Sequence, residues 1–369
     1  MHIPLKLIFK MSRISPILLL LVILIGCGKD DINNPNTTLV NQEFISAVDI
    51  SRYPEISNSN PTFYDLEGNE KDFLLILKEN GINTVRLRLW VNPSNEHSGL
   101  NEVKEFSKTL KSNGFKIWLT LHYSDTWADP AHQKTPLQWE KVNFSQLKDS
   151  VFGYTEKIMT ELHPDYIQIG NEINTGFLHP YGQILNEIEQ FKELMDTAIL
   201  AVRENSNDTK IIIHFAGIEG SDEFYNKVSA LDYDIIGLSY YPIWHGKSLH
   251  NLKTAMQHLS VSYNKQILIA ETAYPFTLEW NDWTNNIVGS DDQIILPEYP
   301  ATIQGQRSFI KDLKRVSQEV DKGIGFCYWG AELIAWKGDQ STDASPWENQ
   351  SLFNFDNKAL PVLREFRNE

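Results

Sequence analysis

The chain predicts a single closed (β/α)₈ TIM barrel with long βα loops, over residues 44–369. Three observations carry this. Eight short apolar runs alternate with amphipathic stretches of helical spacing, the pattern of a parallel sheet covered by helices. Eight such units in about 320 residues match a closed barrel. An open doubly wound sheet needs a glycine-rich phosphate turn after its first strand, and AVDISRYPEI has none.

FISAVDI is the first strand. EKDFLLILKENG follows as a helix, with Phe73, Leu74 and Leu77 on one face and a Gly stop. NTVRLRLW is the second strand, and NEVKEFSKTLKSNG is a helix with Val103, Phe106 and Leu110 aligned. FKIWLTLHYSD, YIQIGNE, TKIIIHFAG, DYDIIGLSYYP, QILIAETAYP and GIGFCYWG complete the strands. Helices fall around 145–162, 184–204, 250–264 and 304–322.

The N-terminus reads differently. Lys6, Lys10 and Arg13 precede the apolar run ISPILLLLVILIG, which predicts a signal peptide over residues 1–26. The run ends Leu24-Ile25-Gly26-Cys27, similar to a bacterial lipoprotein cleavage box, with Cys27 as the lipidated first residue; the alternative is a plain N-terminal membrane anchor. Residues 27–43 are polar and read as a flexible tether, in which Lys29-Asp30-Asp31 resembles a surface-export tag. These features predict a lipoprotein of the bacterial cell envelope, held at the outer membrane and cell surface through lipid on Cys27. Cys327 is then the remaining cysteine, so no intrachain disulfide is expected. Nothing points to an oligomer, so a monomer is expected.

A formal charge of −15 argues against a nucleic-acid partner and against capture of a polyanion, and favours a neutral substrate. Ten Trp and 14 Tyr suit a sugar-binding cleft.

Nearly every predicted strand ends on polar or aromatic residues: Asp49; Arg86, Arg88 and Trp90; His122, Tyr123 and Asp125; Asn171 and Glu172; His214; Tyr240, Tyr241, Trp244 and His245; Glu271; Trp329. In a barrel these ends open on one face, where active sites sit. One buried Arg or His is usually a satisfied structural group; eight strands ending this way together point to a site. Glu172 and Glu271 end the fourth and seventh strands, which face each other across the mouth. Two carboxylates flanking a sugar are what glycoside hydrolysis needs: one protonates the leaving oxygen, and the other attacks the sugar carbon or activates water. Separation decides between retention, at about 5–5.5 Å, and inversion at a larger gap.

These residues resemble the clan A retaining glycoside hydrolases, and the finer pattern is similar to glycoside hydrolase family 53, the endo-β-1,4-galactanases. The resemblance rests on VRLRLWVNP (85–93), LHYSDTWADPAHQ (121–133), IQIGNEINTG (167–176), IGLSYYPIWHG (236–246), ETAYPFT (271–277), YPATIQGQ (299–306) and YWG (328–330). It implies Glu172 as acid/base, Glu271 as nucleophile, retention, and a β-1,4-galactan polysaccharide as substrate. It further implies that Arg88 holds the nucleophile ionised, that Tyr240 hydrogen-bonds it, and that Asn171 and His122 contact the sugar. Trp90, Trp127, Trp244 and Trp329 become stacking platforms, with Asp125 and His245 beside them.

Some bacterial members hold a structural calcium ion between the seventh and eighth loops. The corresponding stretches here supply Asp282, Thr284 and Asn286, then Ser345 and Glu348. Thr284 and Glu348 depart from the family's His and Asp, and calcium accepts oxygen ligands of either kind. No cofactor is expected for catalysis. AELIAW after YWG departs from the Glu-Pro of many members, which bears on the rim of the cleft.

Two alternatives differ in class. A β-mannanase or cellulase shares both glutamates but not HYSDTWADP and SYYPIWHG. A glycan-capturing lipoprotein keeps aromatic platforms without needing two opposed carboxylates.

Overall fold

The computed structural model describes residues 43–368; the signal peptide, Cys27 and nearly all of the tether lie outside the described residues. Eight parallel strands close on themselves in chain order. They are β1 (Ile45–Asp49), β2 (Thr84–Leu89), β3 (Lys116–Leu121), β4 (Tyr166–Ile169), β5 (Lys210–Ala216), β6 (Ile235–Ser239), β7 (Gln266–Thr272) and β8 (Gly323–Trp329). Pairing of Ile45 to Asp49 with Gly325 to Trp329 seals the barrel. The open-sheet alternative is thereby excluded.

Helices α1 (Tyr53–Ser57), α2 (Phe73–Glu79), α3 (Leu100–Ser112), α4 (Phe144–Leu162), α5 (Ile184–Asn205), α6 (Ser221–Val228), α7 (Pro242–His245), α8 (Leu249–Ser262) and α9 (Ile303–Glu319) intervene. The long helices fall where periodicity places them. α6 has eight residues, too few for a clear period, yet it buries Phe224, Tyr225 and Val228 on one face. α4 opens with a capping box: the Asn143 side chain accepts from Gln146 N while the Gln146 side chain accepts from Asn143 N. Among the described residues no helix is long and apolar enough to cross a membrane.

Alternation along each strand builds two cores. Outward residues such as Val85, Leu87, Ile117, Leu119, Ile211 and Ile213 pack against helix residues such as Leu147, Val151, Phe191 and Leu313. Inward residues form a small plug that includes Ala47, Trp118, Tyr166, Ile212, Leu268 and Ala270. β2 adds no apolar residue to it. Instead Arg86 lays its guanidinium 5.5 Å from the Trp118 ring centroid. The interior thus changes from apolar to polar at the level of Arg86, Gln168, Thr120 and His214, all buried. The active-site carboxylates stand on this polar layer.

Candidate active site

β4 ends at Ile169, and the chain then turns sharply. Gly170 has φ +75°, and a Cβ there would lie 2.4 Å from Ile173 Cγ2, so glycine is required. Glu172 itself has φ +47°, a conformation non-glycine residues adopt rarely. It is held by its surroundings: Gln133 Nε2 donates to the carbonyls of Asn171 (2.8 Å) and Glu172 (3.2 Å), and Ile173 N donates to His214 O at 3.0 Å. The double turn points both Asn171 and Glu172 into the barrel mouth. On β7 a register shift does the same work. Leu238 pairs with Ile269 but Ser239 pairs with Glu271, so the extra residue rotates Glu271 inward.

An oxygen of Glu172 and one of Glu271 approach within 4.8 Å. Glu271 Oε1 receives Arg86 Nη2 at 2.7 Å, and Oε2 receives the Tyr241 hydroxyl at 3.0 Å. The same Arg86 pairs with Asp49 at 2.7 Å and donates to Asn171 Oδ1 at 2.8 Å. Burial works against the Arg86 charge, but Glu271 and Asp49 outweigh it and hold it protonated. Glu172 Oε1 receives the Ser239 hydroxyl at 2.6 Å. Ser239 Oγ in turn lies 2.9 Å from His214 Nε2, and His214 Nδ1 lies 3.0 Å from Gln168 Nε2. His214 Nδ1 also lies 3.2 Å from Asn171 Oδ1, so the ring is held at both nitrogens. Burial, with Arg86 nearby, keeps His214 well below the usual imidazole range and therefore neutral.

The two carboxyls differ in surroundings. Burial, then the charge of Glu271, pushes Glu172 up to about 8. Burial raises Glu271 as well, but Arg86 and the Tyr241 hydroxyl oppose it there. The pair therefore loses its first proton from Glu271 and keeps one on Glu172. His214 lies within the same 4.8 Å. With both its nitrogens engaged and Arg86 already balancing Glu271, a metal cation has little to bind.

The cleft above the pair has a volume of about 400 Å³. Of the residues singled out from sequence, Arg88, His122, Trp127, Asn171, Trp244, His245 and Trp329 line it with the two glutamates. His122 Nδ1 accepts from Ala128 N at 3.1 Å, so its other nitrogen carries the proton. Burial, with Arg88 and Arg86 close by, keeps this ring neutral too. Trp127 is 39 % exposed and Trp244 54 %, as a stacking face requires.

Several expectations are corrected. Arg88 does not touch Glu271; Arg86 does. Both point inward on β2, but Arg86 is one layer deeper, in register with Asp49. Arg88 is clamped between Trp127 (4.0 Å to the ring centroid) and Trp90 (4.5 Å), and donates to Ser98 and His97. It positions the tryptophan wall. Tyr240 likewise gives way to Tyr241: residues 235, 237, 239 and 241 share the inward face of β6, while Tyr240 is buried outside it and donates to Gly246 O at 2.7 Å. Trp90 is buried behind Trp127 and does not line the cleft. Asp125 accepts from Asn92 N and Leu137 N, a staple between two loops. Ser239 and Trp347 join the site unforeseen. Trp347 packs 4.7 Å from Trp329, centroid to centroid, on a loop with no periodic pattern to mark it.

Asp282, Thr284, Asn286, Ser345 and Glu348 come from the loops after β7 and β8. Asp282 Oδ2, Asn286 Oδ1 and Glu348 Oε2 are all buried without a hydrogen-bond partner. Glu348 Oε1 accepts from Asn281 N at 2.6 Å, and burial together with Asp282 raises the Glu348 carboxyl. Thr284 Oγ1 is already engaged with Ser341 O and Ala344 N, and Ser345 Oγ with Trp347 N. The donor set that fits an oxygen-seeking cation is thus Asp282, Asn286 and Glu348.

A barrel mouth with two close carboxyls, one protonated and one ion-paired, beneath an arc of tryptophan faces defines a retaining glycoside hydrolase. The comparisons narrow this. Residues 45–366 match Glycosyl hydrolase family 53, and the chain belongs to that family. It is 36 % identical to an uncharacterized protein in the bgaB 5′ region of Niallia circulans, over 87 % of this chain and 93 % of that one. It is 30 % identical to an endo-beta-1,4-galactanase of Bacillus subtilis (strain 168), over 89 % and 86 %. Among solved structures, the Ignisphaera aggregans GH53 catalytic domain superposes with a TM-score of 0.80 at 39 % identity, covering 88 % of this chain and 96 % of that one.

Proposed function

We infer that this enzyme cleaves internal β-1,4-galactosidic bonds of pectic galactan and type I arabinogalactan with retention. The observation that carries the mechanism is the Glu172–Glu271 pair within 4.8 Å; the galactan specificity rests on family membership. Glu172 donates its proton to the glycosidic oxygen as Glu271 attacks the anomeric carbon. The bond to the leaving chain breaks, and a glycosyl ester forms on Glu271. The Glu271 charge, a main reason for the high pKa of Glu172, disappears in that ester. Glu172 then becomes the stronger acid, so it holds its charge and takes a proton from the incoming water. As the ester forms Glu271 loses its charge and so its ion pair with Arg86, which keeps Asp49; the pair returns on hydrolysis.

The test is reducing-sugar release from linear β-1,4-galactan, beside β-mannan, cellulose and β-1,3-galactan. Mixed oligomers from the first polymer alone are expected, and Glu271→Ala abolishes them. Activity on mannan or cellulose instead overturns the galactan specificity. Binding of galactan with release from none of the four favours the capture protein.

The proposal extends to a calcium ion held by Asp282, Asn286 and Glu348, with Thr284 and Ser345 beside them; three buried, unpartnered oxygens support it. Bound there, calcium supplies cross-linking between loops and no chemistry. It also includes a monomeric enzyme tethered through lipid on Cys27 to the outer membrane, supported by the Leu24-Ile25-Gly26-Cys27 run. Radiolabelled palmitate incorporation, lost in Cys27→Ala, tests the tether.

A further inference from the structure

Beside the catalytic cleft lies a second cavity of about 270 Å³. Trp127, Trp329, Trp347 and Arg88 line both, so the two adjoin. The second takes its other walls from the loops after β1 and β8, including Glu332, and nothing from β4 to β7. Glu271 stands on β7, paired with β8, whereas Glu172 follows β4 across the barrel, so the second cavity lies on the nucleophile's side. The general acid protonates the leaving oxygen, so the departing chain lies on the Glu172 side. The second cavity therefore faces the part of the chain that stays on the enzyme.

Its unusual feature is Glu332, 2 % exposed. Oε1 accepts from Arg52 N at 2.9 Å, but Oε2 is buried with no partner. Burial, then the nearby charge of Asp49, pushes this carboxyl up to about 8, so it carries a proton at neutral pH. A buried polar atom left unpaired is costly and calls for an explanation. The reaction on Glu172 and Glu271 does not use it. Arg88 adds a second free donor: Nε and Nη2 are taken by Ser98 and His97, while Nη1 has no acceptor among the described residues. Aromatic walls with a few fixed hydrogen-bonding groups suit a neutral sugar ring.

We propose that Glu332 is a specificity-determining residue, whose carboxyl donates a hydrogen bond to a neutral sugar unit of the glycone, seated against Trp329 and Trp347. This rests on the galactan reading above. The carboxyl comes from the AELIAW stretch that follows YWG.

The test compares kcat/KM for long and short linear β-1,4-galacto-oligosaccharides in the wild type and in Glu332→Leu and Glu332→Gln, with thermal melts to establish folding. Glu332→Ala replaces the leucine variant should that fail to fold. The long-to-short ratio is expected to fall about tenfold in the apolar variant, the worth of one hydrogen bond, and to do so through KM. Glutamine, which keeps a donor in the same place, retains the ratio. An unchanged ratio in the apolar variant overturns the proposal, as does an equal fall in both variants, which marks a structural role. A wild type inactive on all these substrates overturns the galactan reading itself, and this inference with it.

Discussion

Glu172→Gln offers a test that needs no substrate. In the folded protein burial and Glu271 push Glu172 up to about 8, while the unfolded chain titrates near 4.5. Between those values the folded state keeps a proton that the unfolded state sheds. Stability tied to that proton is therefore complete below pH 4.5 and is lost as pH rises to about 8. The slope is about 1.4 kcal/mol per pH unit, so three units from pH 5 to pH 8 amount to about 4 kcal/mol. Glu172 keeps some contact with solvent at the cleft, so about half of that is expected. Glutamine has no such proton to lose. Urea melts at pH 5, 6, 7 and 8 are thus expected to show the variant gaining roughly 2 kcal/mol on the wild type across the range. Its melting temperature should rise relative to wild type by about 4 °C. A difference constant in pH refutes the reasoning, because the Glu172 carboxyl is then already ionised at pH 5.

Arg86→Met leaves Asp49 and Glu271 buried and unpaired; a loss of about 3–5 kcal/mol in stability is expected by denaturant melt, with activity abolished. Arg88→Met, by contrast, loosens only the tryptophan wall and raises KM several-fold more than it lowers kcat. Tyr241→Phe removes a hydrogen bond to the nucleophile and lowers kcat about tenfold, whereas Tyr240→Phe costs about 1 kcal/mol of stability and keeps kcat. If the proposed calcium ion is held by Asp282, Asn286 and Glu348, chelation is expected to lower the melting temperature and excess calcium to restore it, with a gain of about 2.7 kcal/mol at a hundred times Kd; Asp282→Asn with Glu348→Gln is expected to remove that response.

The barrel was legible because eight strands and the long helices each carry their own period. The two glutamates were legible because a charge ending a buried strand has few structural excuses. Finer assignments failed where periodicity does not reach. Arg86 and Arg88 share the inward face, and only the register with Asp49 tells which reaches Glu271. Tyr240 and Tyr241 are separable by parity alone, since Ser239 and Tyr241 share a face of β6; the adjacent tyrosines obscured it. Glu271 violates the parity of Leu268 and Ala270, and nothing in QILIAETAYP announces the shift that turns it inward. Asp125 and Trp90 lie near strand ends, as site residues do, but their partners are loop amides and a neighbouring ring.

The left-handed backbone of Glu172 sets stability and turnover against each other at one codon. A glycine there would adopt φ +47° without strain and would also remove the buried carboxyl whose proton is lost, at a cost in stability, as pH rises, so selection for thermal resistance alone would favour losing the acid. Directed evolution of this barrel therefore has to screen for cleavage at every round, or its hardiest descendants will be inert.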